Sequence, residues 1–110
     1  MSNITQTLDD LQRLRNSSAQ ASALLKALSN PDRLQLLCQL SQGECSVGEL
    51  ETLVGIQQPT LSQQLGVLRR ENLVRTRRDG KQIFYAIDSE PALAVIQTLY
   101  RLFCAKKDVS

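Results

Sequence analysis

Two short runs rich in β-branched and aromatic residues, LVRTRR at 73–78 and QIFYAI at 82–87, are joined by Asp79-Gly80, and the chain's other apolar residues repeat at helical spacing. Asp-Gly between such runs marks a tight hairpin, because the turn needs positive φ. This one feature limits the fold to a mostly α domain carrying a single small β-hairpin. Three prolines divide the helical remainder. Pro31, Pro59 and Pro91 each follow a polar residue and precede a helical pattern, the first-turn position where a missing N–H costs nothing.

Between these marks the elements can be placed. Residues 1–16 are polar with Leu8, Leu11 and Leu14 three apart, a helical spacing that needs a partner surface. The stretch 18–28 is rich in Ala and Leu and ends before Pro31, since the residue preceding a proline leaves the helical region. A second helix over 31–41 sets Leu34, Leu37, Cys38 and Ser41 on one face. Ser46-Val47-Gly48-Glu49 fits a capping box that opens a short third helix ending near Gly55. A fourth, from 59 to about 71, turns Leu61, Leu65 and Leu68 inward at i, i+4 and i+7. Asp88-Ser89 caps a last helix from 91 to about 104, with Leu93, Ile96, Tyr100 and Phe103 as its stripe. The order is α-α-α-α-β-β-α, a winged helix-turn-helix. We expect a helical extension at 1–17, the winged domain at 18–104 and a tail at 105–110.

At 110 residues there is room for one domain, and a hydrophobic fraction of 42% is ordinary for a folded one. No apolar run approaches the roughly 18 residues of a membrane span. The start, MSNITQTLDDLQRLR, has acids where a secretory signal would be basic and then apolar. A cytoplasmic protein without membrane contact is expected. With no histidine, imidazole acid–base chemistry, a Ser-His-Asp arrangement and imidazole metal ligation are excluded. The odd set Cys38, Cys45 and Cys104 argues against a disulfide framework and leaves thiol reactivity or burial as small hydrophobes. Cys45 reads as a tolerated thiol in a loop beside the capping box.

Net charge is only +2, but its distribution is uneven. Between residues 69 and 81 lie Arg69, Arg70, Arg75, Arg77, Arg78 and Lys81 against Glu71 and Asp79, a patch of the kind that phosphate backbones attract. The polar side of the fourth helix carries Gln58, Thr60, Gln63 and Gln64, with Ser62 at its edge. It is uncharged until Arg69, unlike a face chosen for solubility. Glutamine can pair with adenine in the major groove, and Ser or Thr can bond bases or phosphates. The hairpin tip at 77–82, with Arg77, Arg78 and Lys81, would lie along the backbone or in the minor groove. Both features indicate duplex DNA.

The stretches SNPDRLQLLCQL, GECSVGELETLVGIQQPTLSQQLGVLRRENLV and RTRRDGKQIFYAI together resemble the ArsR/SmtB family of dimeric winged-helix repressors, over about residues 18–104. Its metal-sensing branch carries paired cysteines in ELCVCDL, where this chain has Ser46 and Gly48, and a second metal site there needs histidines. No metal or other cofactor is therefore expected. LLC in the second helix and LFC in the last resemble the sulfide- and persulfide-responsive BigR/SqrR/HlyU-like branch. That resemblance implies that Cys38 and Cys104 sense reactive sulfur or another oxidant through a disulfide or polysulfide bridge that releases DNA. It gives Cys45 no role. The expected protein is a homodimeric repressor on an inverted-repeat operator. Its first and last helices would form the interface and set two recognition helices roughly 34–36 Å apart. A metal-responsive repressor is the alternative. A thiol enzyme is the other, although neither Cys38 nor Cys104 stands at a helix start that would lower its pKa.

Overall fold

The structure, a computed structural model, describes residues 4–104, so the expected tail at 105–110 lies outside the described residues. The two N-terminal stretches run together as one helix, α1 (Ile4–Leu28), with no break at Ser17 or Ser18. It is followed by α2 (Pro31–Leu40), β1 (Cys45–Ser46), α3 (Val47–Val54), α4 (Thr60–Arg70), β2 (Val74–Asp79), β3 (Gln82–Ile87) and α5 (Glu90–Phe103). The sheet order is β1-β3-β2, antiparallel throughout. None of these helices is long and apolar enough to cross a membrane.

Local chemistry explains most boundaries. Asn30 caps α2 by accepting the Arg33 N–H, and Pro31 occupies the first turn. The capping box at Ser46 is complete: Ser46 Oγ accepts from the Glu49 N–H at 3.1 Å, and Glu49 accepts from the Ser46 N–H at 2.9 Å. Gly55 ends α3 at φ +77°, a left-handed conformation that side chains resist. Asn72 closes α4 at φ +59°, with Leu73 N–H reaching Leu68 O and Asn72 N–H reaching Arg69 O. That pair of bonds is a Schellman closure, which redirects the chain into β2. Ser89 caps α5 through the Ala92 N–H.

The core is leucine-built. Leu36, Leu37, Leu50, Leu61, Leu65, Leu68 and Ile96 are fully buried. All three leucines expected to face inward from α4 do so. Several other expectations need correction. In α2 the buried residues are Leu36, Leu37 and Leu40, whereas Leu34, Cys38 and Ser41 lie half-buried on its flank. In α5 the stripe ends early: Ala92 and Ile96 are buried, but Tyr100 and Phe103 are exposed, Phe103 by 79%. Pro59 is the N-cap of α4 rather than its first turn, after a cis Gln58–Pro59 bond. Asp79 belongs to β2, paired with Gln82, so the loop is Gly80-Lys81 and Gly80 supplies the positive φ of +64°. Cys45 is no loop residue either. It is buried in β1 opposite Tyr85, with Ser46 opposite Phe84.

Candidate nucleic-acid interface and thiol pocket

The polar face expected to read bases starts just before α4. Gln58 is exposed, and its Oε1 accepts both the Ser62 N–H at 3.1 Å and the Ser62 hydroxyl at 2.7 Å. It therefore satisfies a backbone donor that Pro59, with no side-chain cap, leaves open. Thr60 is half-buried in the first turn. Gln63 is exposed at the centre of the outward face, opposite Leu61 and Leu65. Gln64 lies on the flank toward α2, half-buried, where its Oε1 accepts from Arg33 Nη1 at 2.9 Å.

The wing's cations divide by strand face. Arg77 stands opposite Phe84 in the register and packs over that ring at 4.4 Å from its centroid. Glu44 grips it twice, Nη2 to Oε1 at 2.7 Å and Nε to Oε2 at 2.9 Å. The Arg77 guanidinium holds the Glu44 carboxyl below the usual carboxylate range. Arg75 likewise donates to Ile87 O at 3.1 Å and approaches Asp88 at 3.4 Å. Both arginines thus have anionic partners within the chain.

Arg78 stands opposite Ile83 and shares its face. Ile83, Tyr85, Ser62, Leu65, Arg69 and Lys81 line a cleft of about 580 Å³ between α4 and the wing. No ion pair engages Arg69, Arg78 or Lys81 among the described residues. Of the sequence-derived set, the cleft thus unites Ser62 with Lys81. Arg78 lies on the same sheet face, Gln63 lies on the open face of α4, and Arg77 is turned away. Sequence reasoning missed Arg33, Glu44 and Arg69 as site residues. Arg69 was legible in the basic run. Glu44 and Arg33 meet partners 33 and 31 residues away, so nothing local marks them.

Cys38 and Cys104 share a separate shallow pocket of about 380 Å³ with Leu34, Val54 and Tyr100. Cys38 is half-buried and Cys104 is exposed at the C-cap of α5. Burial pushes the Cys38 thiol up, and negative charge on Cys104 pushes it further. The two sulfurs are therefore electrostatic neighbours. Cys45, by contrast, is core, and its Sγ contacts Gly43 O at 3.7 Å. No three Cys, Asp or Glu side chains lie close enough to share a metal ion among the described residues.

Residues 30–76, from the α2 cap into β2, match the family described as bacterial regulatory protein, arsR family. The biofilm growth-associated repressor of Xylella fastidiosa (strain 9a5c) is 52% identical over 101 residues, 92% of this chain and 86% of the relative. The chain belongs to the arsR family. As an arsR-family protein it is a winged-helix, DNA-binding transcriptional regulator and not an enzyme. The solved structure of reduced HlyU from Vibrio cholerae N16961 is similar at a TM-score of 0.82 and 45% identity, covering 86% of this chain and 99% of that one. A homodimeric winged helix-turn-helix domain from Mycobacterium bovis is similar at a TM-score of 0.66 and 30% identity, covering 93% and 86%.

Proposed function

We propose that this arsR-family chain is a homodimeric repressor, binding an inverted-repeat operator in double-stranded DNA, that lets go when Cys38 and Cys104 are bridged. The observation that carries the redox part is the pocket shared by the two thiols and by no third cysteine. DNA binding by α4 and the wing rests on the open Gln63 and on the unpaired cations beside the cleft. The repressor assignment follows the name of the Xylella relative, and the dimer follows the Mycobacterium domain. A second copy also gives cover to Leu8, Leu11 and Leu14 of α1 and to Leu102 and Phe103 of α5, all of which stand exposed.

The effector is a reactive sulfur species or a related oxidant. The exposed Cys104 attacks first, taking the outer sulfur of a persulfide RSSH and releasing RSH. The Cys38 thiolate then attacks the Cys104 sulfur and expels hydrosulfide. Two thiols and one RSSH thus give one disulfide, RSH and H2S, with the persulfide reduced and the cysteines oxidised. Bridging draws the end of α5 toward α2, and the dimer spacing that fits adjacent DNA turns is lost. To shift occupancy strongly, the bridge must favour the released form by a few kcal/mol.

The test uses an operator fragment selected from random duplex DNA and glutathione persulfide as the effector. Cys38→Ser and Cys104→Ser each retain the fragment and lose release, while Cys45→Ser behaves as the parent. Release that persists in Cys104→Ser overturns the dithiol switch.

A further inference from the structure

Gln58, Gln63 and Gln64 stand around the start of α4, and neighbours dictate the amide orientation of Gln58 and Gln64. Gln64 faces Arg33 Nη1 at 2.9 Å. A guanidinium has donors and no acceptor, so it is the amide oxygen that meets it. Arg33 is itself fixed: its Nε donates to Ala27 O at 2.6 Å, its Nη2 approaches Lys26 O at 3.4 Å, and its backbone N–H is held by the Asn30 cap. The last carbonyls of α1 thereby set the guanidinium plane, and the plane sets Gln64. Gln58 is constrained in the same sense, because the Ser62 backbone N–H also requires an oxygen. The Gln58 oxygen accepts twice, and the Gln64 oxygen gives one lone pair to Arg33 and is turned toward it, so the NH2 is the free end of each amide. Gln63 makes no such bond among the described residues, so its amide keeps a donor and an acceptor.

The two-point contact of glutamine with adenine needs both functions of one amide, a donor to N7 and an acceptor from N6. Gln63 can supply both. In Gln64 the bond to Arg33 turns the oxygen toward α2 and so disfavours that two-point contact.

We infer that Arg33 is a specificity-determining positioning residue: by holding the Gln64 oxygen it makes the flank of α4 beside Gln63 a pure hydrogen-bond donor. The base favoured opposite Gln64 is then one that offers acceptors there, N7 and O6 of guanine or O4 of thymine, whereas adenine sets its N6 donor beside N7 and against the amide NH2. This inference rests on the reading of α4 as the recognition helix, and deepens it. Arg33 itself need not touch DNA.

The test is selection from a random duplex library with the full chain, scoring base preference position by position. The parent enriches a half-site in which one position is guanine or thymine. Gln64→Glu keeps an oxygen for Arg33 but replaces the outward NH2 with a second oxygen. At that position preference moves to cytosine or adenine, whose N4 and N6 amino groups donate, by about tenfold. Arg33→Met lets the amide turn, so adenine becomes accepted at the same position. Should Arg33→Met fail to fold, Gln64→Glu decides alone, because it leaves the Arg33 bonds to α1 in place. Unchanged preference at every position in Gln64→Glu overturns the inference and leaves the α4 reading standing. A parent chain that enriches no sequence overturns both.

Discussion

The surface proposed to face DNA and the thiol pocket are built in opposite ways. On the first, neighbours lock the side chains: Arg33 holds Gln64 from 31 residues away, and Gln58 holds Ser62 within one turn. At the second, Cys104 lies at the very end of α5, next to the exposed Phe103, over a shallow pocket with mostly apolar walls. Rigid placement favours a reading surface, since less freedom is lost on binding. A helix end opens at low free energy, which favours a part that must move when a bond forms. The leucine core beneath both is what keeps the two properties in one small domain.

The largest expected effect removes that common support. Leu65 is 1% exposed, on the inner face of the same helix that carries Gln63 and Gln64. Leu65→Ala should cost about 3 kcal/mol from lost transfer energy and the cavity left behind. Urea denaturation reads the loss, and operator binding and persulfide response should decline together. A variant losing less than about 1 kcal/mol would mean that the α4 core collapses around the gap. A variant that loses only one of the two activities would separate regions we take to share a core.

A smaller effect is confined to the DNA side. Gln63→Ala should weaken operator binding by roughly 1–3 kcal/mol, with little change on random DNA and none in bridging of Cys38 to Cys104. Titration by fluorescence anisotropy on the two duplexes checks it. Equal losses on both would mean that Gln63 contacts backbone rather than bases.

The same contrast separates what the sequence revealed from what it hid. The capping box at Ser46, the inward leucines of α4 and the hairpin at Gly80 follow from spacing of a few residues or from helix period, whereas the pairing of Cys38 with Cys104 came from the family resemblance alone. Errors arose where long-range packing overrides a local rule. Helix periodicity alone put Tyr100 and Phe103 in the core stripe, yet α5 outruns the core it packs on. The strand at Cys45 was invisible because two residues have no alternation to read, and only pairing with Tyr85 and Phe84 makes it a strand. Arg77 looked like Arg78 in sequence. What distinguishes them is a two-residue alternation that points Arg77 to Glu44 and Phe84, and Arg78 to the face that lines the cleft.

That last difference yields the smallest and most specific effect. If Arg78 neutralises a phosphate, Arg78→Ala should lower the slope of log K against log salt by about one unit, since each neutralised phosphate releases nearly one counterion. Arg77 already has its carboxylate, so a phosphate would have to displace Glu44 to reach it. Removing Arg77 alone would expose that carboxylate to the DNA and mix a new repulsion with a lost contact. The double change Glu44→Gln with Arg77→Met avoids this, because it removes one charge of each sign and leaves the net charge as it was. Its slope should match the parent's while Arg78→Ala falls by about one. A double variant whose slope drops as far as that of Arg78→Ala would show that DNA wins Arg77 from Glu44. The wing would then bind phosphate with both faces rather than with the cleft side alone.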